Sequence, residues 1–162
     1  TSFIFDALAE KAILRIQAPL GTFTLREDSD RPIILVAGGT GFAPIKGIIE
    51  HAFHLGITRP MQLYWGVRRQ TDLYLPDLPS QWALDHAHFS YTPALSEPDP
   101  DWTGRTGFVH AAVLADHPDM SGFDVYLAGP PIMVESGSKA FATAGLSRDH
   151  MFSDAFEYAK PT

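Results

Sequence analysis

The most constraining feature of the sequence is the passage from Ile33 to Gly41, where the run Ile33-Ile34-Leu35-Val36-Ala37 stops on Gly38-Gly39-Thr40-Gly41. A continuous β-branched-rich run ended by glycines fits a strand buried on both faces, which places it inside a parallel sheet. A helix should follow. Pro44 suits a first helical turn, and Ile45, Ile48, Ile49, Ala52 and Phe53 recur at helical spacing before Gly56.

The alternation then repeats. Met61 to Val67, His88 to Leu95, Asp124 to Leu127 and Met151 to Ser153 read as strands. Helices are expected around Trp82 and Leu84, from Phe108 to Ala115, and from Ile132 to Ala144 with Gly145 as the stop, while Glu97 to Trp102 reads as a Pro-rich loop. The expected fold is α/β, a doubly wound five-stranded parallel sheet. The polar stretch Arg26 to Pro32 marks a boundary. Ahead of it, Ala12 to Ile16 reads as a strand and Pro19-Leu20-Gly21 as a turn before Phe23-Thr24-Leu25. Some thirty residues cannot form a core, so residues 1–31 are expected to be a short β remnant of another domain and residues 32–162 the α/β domain.

Composition narrows the function. A net charge of -7 and the lack of a basic cluster interleaved with aromatics argue against nucleic acid and anionic membranes as partners. With no cysteine, the chain cannot build an iron–sulfur cluster, a disulfide or a thiolate zinc site, so redox chemistry here needs an organic cofactor. No apolar run reaches membrane-spanning length and no leader pattern opens the chain, so a cytoplasmic location is expected. His51 with His54, and His86 with His88, each offer two imidazoles but no third ligand nearby, and no metal is expected. Ser136 lacks the G-x-S-x-G elbow of a hydrolase and reads as an ordinary helix residue.

A parallel sheet binds ligands beyond the carboxyl ends of its strands, where Gly38-Gly39-Thr40-Gly41 falls. Glycines let a phosphate approach the backbone, the next helix offers unpaired N–H groups, and the Thr40 hydroxyl adds a donor. The loop departs from the dinucleotide fingerprint in having Pro44 at the third glycine, and from the P-loop in lacking Gly-Lys-Ser/Thr. Gly39→Val is expected to abolish dinucleotide binding and spare the fold. Tyr64 and Trp65 fit either adenine stacking or the core. Arg68 and Arg69 suit a 2′-phosphate, yet Asp72 would repel one, so NADH is favoured over NADPH.

Several motifs in order resemble the ferredoxin-NADP reductase-like flavoprotein reductases, especially those similar to CDP-6-deoxy-glucoseen reductase and oxygenase reductase components. They are Pro19-Leu20-Gly21-Thr22-Phe23, Ala37 to Pro44, Tyr64-Trp65-Gly66-Val67-Arg68 with Asp72-Leu73-Tyr74, Trp102 to Gly107, and Tyr126 to Val134. The resemblance implies an enzyme in which hydride passes from NAD(P)H to FAD and electrons go on to an acceptor protein or domain. It implies that Gly38, Gly39, Thr40, Gly41 and Pro44 hold pyrophosphate, with Thr40 near nicotinamide. Gly129, Pro130 and Met133 would line the nicotinamide and adenosine cleft, Gly66, Arg68 and Asp72 would border the adenosine ribose, and Phe156 would lie near the flavin. Ala128 stands where many members have cysteine, and no catalytic side chain is assigned. Residues 1–31 would be the tail of the FAD-binding domain, Thr1-Ser2 the end of its phosphate motif, and any 2Fe-2S cluster would belong to a domain outside this chain. The rival from another class is a nucleotide-binding module without electron transfer of its own.

Overall fold

The computed structural model describes residues 3–15 and 21–154. Its centre is a six-stranded parallel sheet built from β1 (Ile33–Gly38), β2 (Met61–Val67), β3 (Phe89–Leu95), β4 (Arg105–Thr106), β5 (Asp124–Ala128) and β6 (Met151–Ser153), in the order β4-β3-β2-β1-β5-β6. The helices are α1 (Phe42–His54), α2 (Asp77–Asp85), α3 (Val109–Asp116) and α4 (Pro131–Thr143). The five strands expected of the sheet are all present, and β4 extends the edge by two residues.

Every residue of β1 is buried, as a central strand covered on both faces requires. Ile33, Leu35 and Ala37 face one core layer with Ile45, Ile49 and Trp82 of α1 and α2. Ile34 and Val36 face the other, with Val109 and Val113 of α3 and Val134 and Phe141 of α4. The result is three layers, helix, sheet and helix. Strand order reverses at β1, whose neighbours are β2 and β5, and such a reversal opens a crevice at the carboxyl ends of those strands.

The remaining expectations met mixed outcomes. Residues 12–15 carry no regular structure, so the strand expected over Ala12 to Ile16 is not formed in its described part, and residue 16 lies outside it. Instead Phe3–Ala7 makes one π-helical turn. Phe108 precedes α3 with extended backbone (φ -75°, ψ 141°) and does not belong to it. Leu84 points outward at 81% exposure while Trp82 carries the inward face of α2. None of the described helices is long and apolar enough to cross a membrane.

At the amino ends of β1 and β5 the sheet is fastened by one carboxylate. Asp124, 1% exposed, pairs with Arg59 at 3.3 Å, Arg31 at 3.6 Å and His150 at 2.8 Å. Arg59 also donates to the carbonyls of Arg26 (2.8 Å) and Arg31 (3.2 Å), so the polar stretch seen in the sequence is tied to the sheet.

Burial holds His88, His110 and His117 below their ordinary pKa of 6.5, with the neighbouring His86 adding to the effect at His88 and Asp116 opposing it at His117. The unfolded chain therefore takes up these protons at a higher pH than the folded one, and stability must fall as pH drops through the region of 6.5 and below. Thermal midpoints measured from pH 7.5 to pH 5.5 should decline steadily. A flat profile would show that these imidazoles titrate alike in both states.

Candidate functional site

At the carboxyl ends of β1, β2 and β3 and the start of α4 lies a cleft of about 540 Å³. Gly38 and Gly39 form its floor, Gly66, Val67, Arg68, Asp72 and Ser96 one wall, Gly107, Phe108, Val109 and His110 another, and Pro130, Ile132, Met133 and Ser136 the third. The volume falls within the range typical of small-molecule sites.

The glycines are required by different physical constraints. A β-carbon on Gly38 would strike the Met133 sulfur and come within 3.0 Å of Pro130, and one on Gly66 would lie 2.7 Å from Val109 Cβ. Gly129, at φ +154°, would place its own within 2.9 Å of Gly38 Cα. Gly39 has open space around that position but sits at φ +52°, the left-handed region that a β-branched residue enters only under strain. The expectation that Gly39→Val spares the fold is therefore corrected: valine would strain the loop itself. Asparagine tolerates this conformation and is the better probe.

Two helices begin beside these glycines. Neither α1 nor α4 has a side-chain cap or an acidic residue in its first turn among the described residues. Pro44 and Pro131 carry no N–H, Phe42 donates to the Gly39 carbonyl and Met133 to that of Pro130, so what these helix starts offer an anion is chiefly the positive end of the helix dipole. Among the described lining residues, Arg68 and Asp72 are those of basic and acidic type besides His110. The Asp72 carboxylate accepts the backbone N–H of Arg69 at 3.0 Å, which fixes it in place.

Of the residues expected from the sequence, Gly38, Gly39, Gly66, Arg68, Asp72, Pro130 and Met133 are brought together in the cleft. Thr40, Gly41, Pro44, Ala128 and Gly129 are not among the lining residues. Thr40 is exposed next to Gly39, Gly41 and Pro44 begin α1, and the Ala128 methyl is fully buried in the core layer under α1. Phe156 lies outside the described residues, as do Thr1, Ser2, Pro19 and Leu20. Tyr64 and Trp65 are both buried, which decides for the core and against adenine stacking. Tyr64 donates to Asp116 at 3.0 Å, and Asp116 also pairs with Arg105.

Sequence reasoning missed Phe108, His110 and Ile132 as lining residues and treated Ser136 as an ordinary helix position. Phe108 and Ile132 are 70% and 76% exposed at the rim, and the Phe108 ring lies parallel to His110 with centroids 5.8 Å apart. His110 Nδ1 is buried and has no hydrogen-bond partner among the described residues. Ser136 was recoverable, because it follows Met133 by three positions and so shares its helix face.

The family described as oxidoreductase NAD-binding domain matches residues 35–139. The protein RfbI of Salmonella typhimurium strain LT2 is 45% identical over 96% of this chain and 47% of its own length. The CDP-6-deoxy-L-threo-D-glycero-4-hexulose-3-dehydrase reductase of Yersinia pestis is 42% identical over 99% of this chain and 48% of its own. Among solved structures, the Amycolatopsis cytochrome P450 reductase GcoB superposes with a TM-score of 0.85 at 38% identity, covering 93% of this chain and 46% of that one. The chain thus spans about half the length of these relatives. A parallel sheet with its glycine-floored cleft at the point of strand reversal, matched at these levels, makes the chain a member of the oxidoreductase NAD-binding domain family.

Proposed function

We propose that the chain is the pyridine-nucleotide half of a flavin-dependent reductase, binding NADH so that hydride passes to an FAD held elsewhere in the protein. On this reading residues 32–162 form the nucleotide-binding unit and residues 1–31 the tail of an FAD-binding domain. The observation that carries it is the cleft itself, floored by glycines, flanked by two uncapped helix starts and rimmed by an exposed aromatic.

Pyrophosphate lies over Gly38 to Gly41, where close approach and N–H donors coincide, and Pro44 sets the helix behind them. Nicotinamide lies by Gly129, Pro130 and Met133, with the Thr40 hydroxyl in reach of its amide, while the adenine stacks on Phe108. The ribose sits by Gly66 between Arg68 and Asp72. The fixed Asp72 carboxylate accepts a 2′-hydroxyl and repels a 2′-phosphate, which favours NADH over NADPH. When bound, the nicotinamide supplies hydride, and the protein's contribution is to bind and orient it. With no cysteine in the chain, any 2Fe-2S partner belongs elsewhere, as does the electron acceptor.

Two variants test the assignment. Phe108→Ala removes the stacking platform and should weaken NADH about tenfold, within the roughly 1–3 kcal/mol that aromatic–base stacking contributes. Gly39→Asn should keep a thermal midpoint close to that of the parent chain and lose NADH binding. Unchanged NADH affinity in both variants would show that the dinucleotide does not use this cleft.

A further inference from the structure

We infer that Trp65 is a positioning residue for the glycine loop, acting through the Gly39 peptide; the inference rests on the reading of the cleft as a dinucleotide site. The indole is fully buried on β2, and its Nε1–H donates to the Gly39 carbonyl at 3.0 Å. The same oxygen accepts the N–H of Phe42 at the end of the short 3-10 turn Gly39–Gly41. Two donors from the protein interior thus hold this oxygen away from the cleft.

A trans peptide carries its C=O and N–H on opposite sides of one plane. With the Gly39 oxygen drawn toward the buried indole, the N–H of Thr40, in the same plane, turns the other way. An anion laid over the loop then meets a donor and not a carbonyl oxygen. The conformation needs holding, because glycine at φ +52° has little preference between that state and its mirror. Trp65 fastens the far end of the loop as well. Its ring stacks on Phe42, the first residue of α1, with centroids 4.1 Å apart and planes at 20°, and Tyr74 meets it edge-on at 5.1 Å. One side chain therefore fixes the residues where the loop begins and ends.

Trp65→Phe keeps an aromatic ring against Phe42 and removes the donor together with one ring of the buried indole, a packing loss that both ligands should report alike. The parent chain and this variant are titrated with ADP-ribose, which carries a pyrophosphate, and with adenosine, which carries no phosphate. ADP-ribose affinity should fall about 3- to 10-fold more than adenosine affinity, the contribution of one hydrogen bond. Equal losses for the two ligands would reduce Trp65 to general packing and overturn the inference, and so would no loss for either. Should the variant fail to fold, the indole N–H resonance of Trp65 in the tryptophan-labelled parent chain decides. It must shift with ADP-ribose and stay in place with adenosine, and no shift with ADP-ribose overturns the proposal. Failure of the parent chain to bind ADP-ribose or NADH at all would instead refute the dinucleotide reading, and this inference with it.

Discussion

Gly41→Ala is expected to lower stability by about 1–3 kcal/mol, the usual cost of forcing a methyl into a packed site, and to lose NADH binding. Gly41 has ordinary helical dihedrals (φ -60°, ψ -9°), so backbone conformation does not exclude alanine. Space does. An added β-carbon would strike the Ala128 carbonyl and lie 2.6 Å from the Gly129 nitrogen. Those atoms are backbone at the end of a fully buried strand and cannot rotate aside. The loop must move instead, which displaces both the start of α1 and the Gly39 peptide. Gly39, two residues earlier, is the reverse case, with open space but a left-handed backbone. Urea unfolding and NADH titration of Gly41→Ala and Gly39→Asn should therefore separate: the first loses stability and binding, the second binding alone. A Gly41→Ala chain that bound NADH normally would show that the loop and the β5 end are not in the contact described.

The second large effect is expected at the other end of the sheet. Asp124→Ala should destabilise by about 3–5 kcal/mol, because removing one partner of a buried ion pair leaves the other charge uncompensated. The charge left uncompensated is that of Arg59, whose side chain is only 9% exposed. Arg59 keeps the carbonyls of Arg26 and Arg31, which are dipoles and cannot replace a carboxylate. Asp124→Asn keeps the shape and should fall between. NADH affinity should be unchanged in both variants where they remain folded, since Asp124 begins β5 and the cleft lies past its end. A loss under about 1 kcal/mol, the scale of a surface pair, would show that solvent reaches Arg59 freely.

How far the sequence foretold this structure depended on whether a signal was local. β1, β2 and α1 were legible because each is long and periodic enough to state its own burial. Strand β4 was not, since two exposed residues carry no period, and its place is set by main-chain pairing with Ala94 and Leu95 and by the Arg105–Asp116 pair. The strand expected at Ala12 to Ile16 failed for the opposite reason. Residues 12–15, its described part, have strand-like character, but no strand of the described sheet pairs with them, and a strand without a partner leaves its backbone groups unpaired.

The same division runs through the site. Gly38, Gly39, Pro130 and Met133 sit in compact motifs and were readable in place. Ser96 and His110 come from separate elements that only the strand reversal brings together, and no motif in the sequence contains them, whereas Ile132 sits inside the motif of Pro130 and Met133 and was passed over there. Trp65 shows a further limit. Its alternating pattern correctly indicated a buried strand, yet the hydrogen bond to Gly39 joins residues 26 positions apart and follows only from the register of β1 with β2.

The central claim is that the cleft at the β1 switch point binds a nicotinamide dinucleotide, and calorimetric titration of the chain with NADH, NADPH and ADP-ribose tests it most directly. Saturable one-site binding is predicted, with NADH tighter than NADPH and ADP-ribose retaining much of the affinity. No heat with any of the three ligands, at concentrations where the chain is folded, would contradict it.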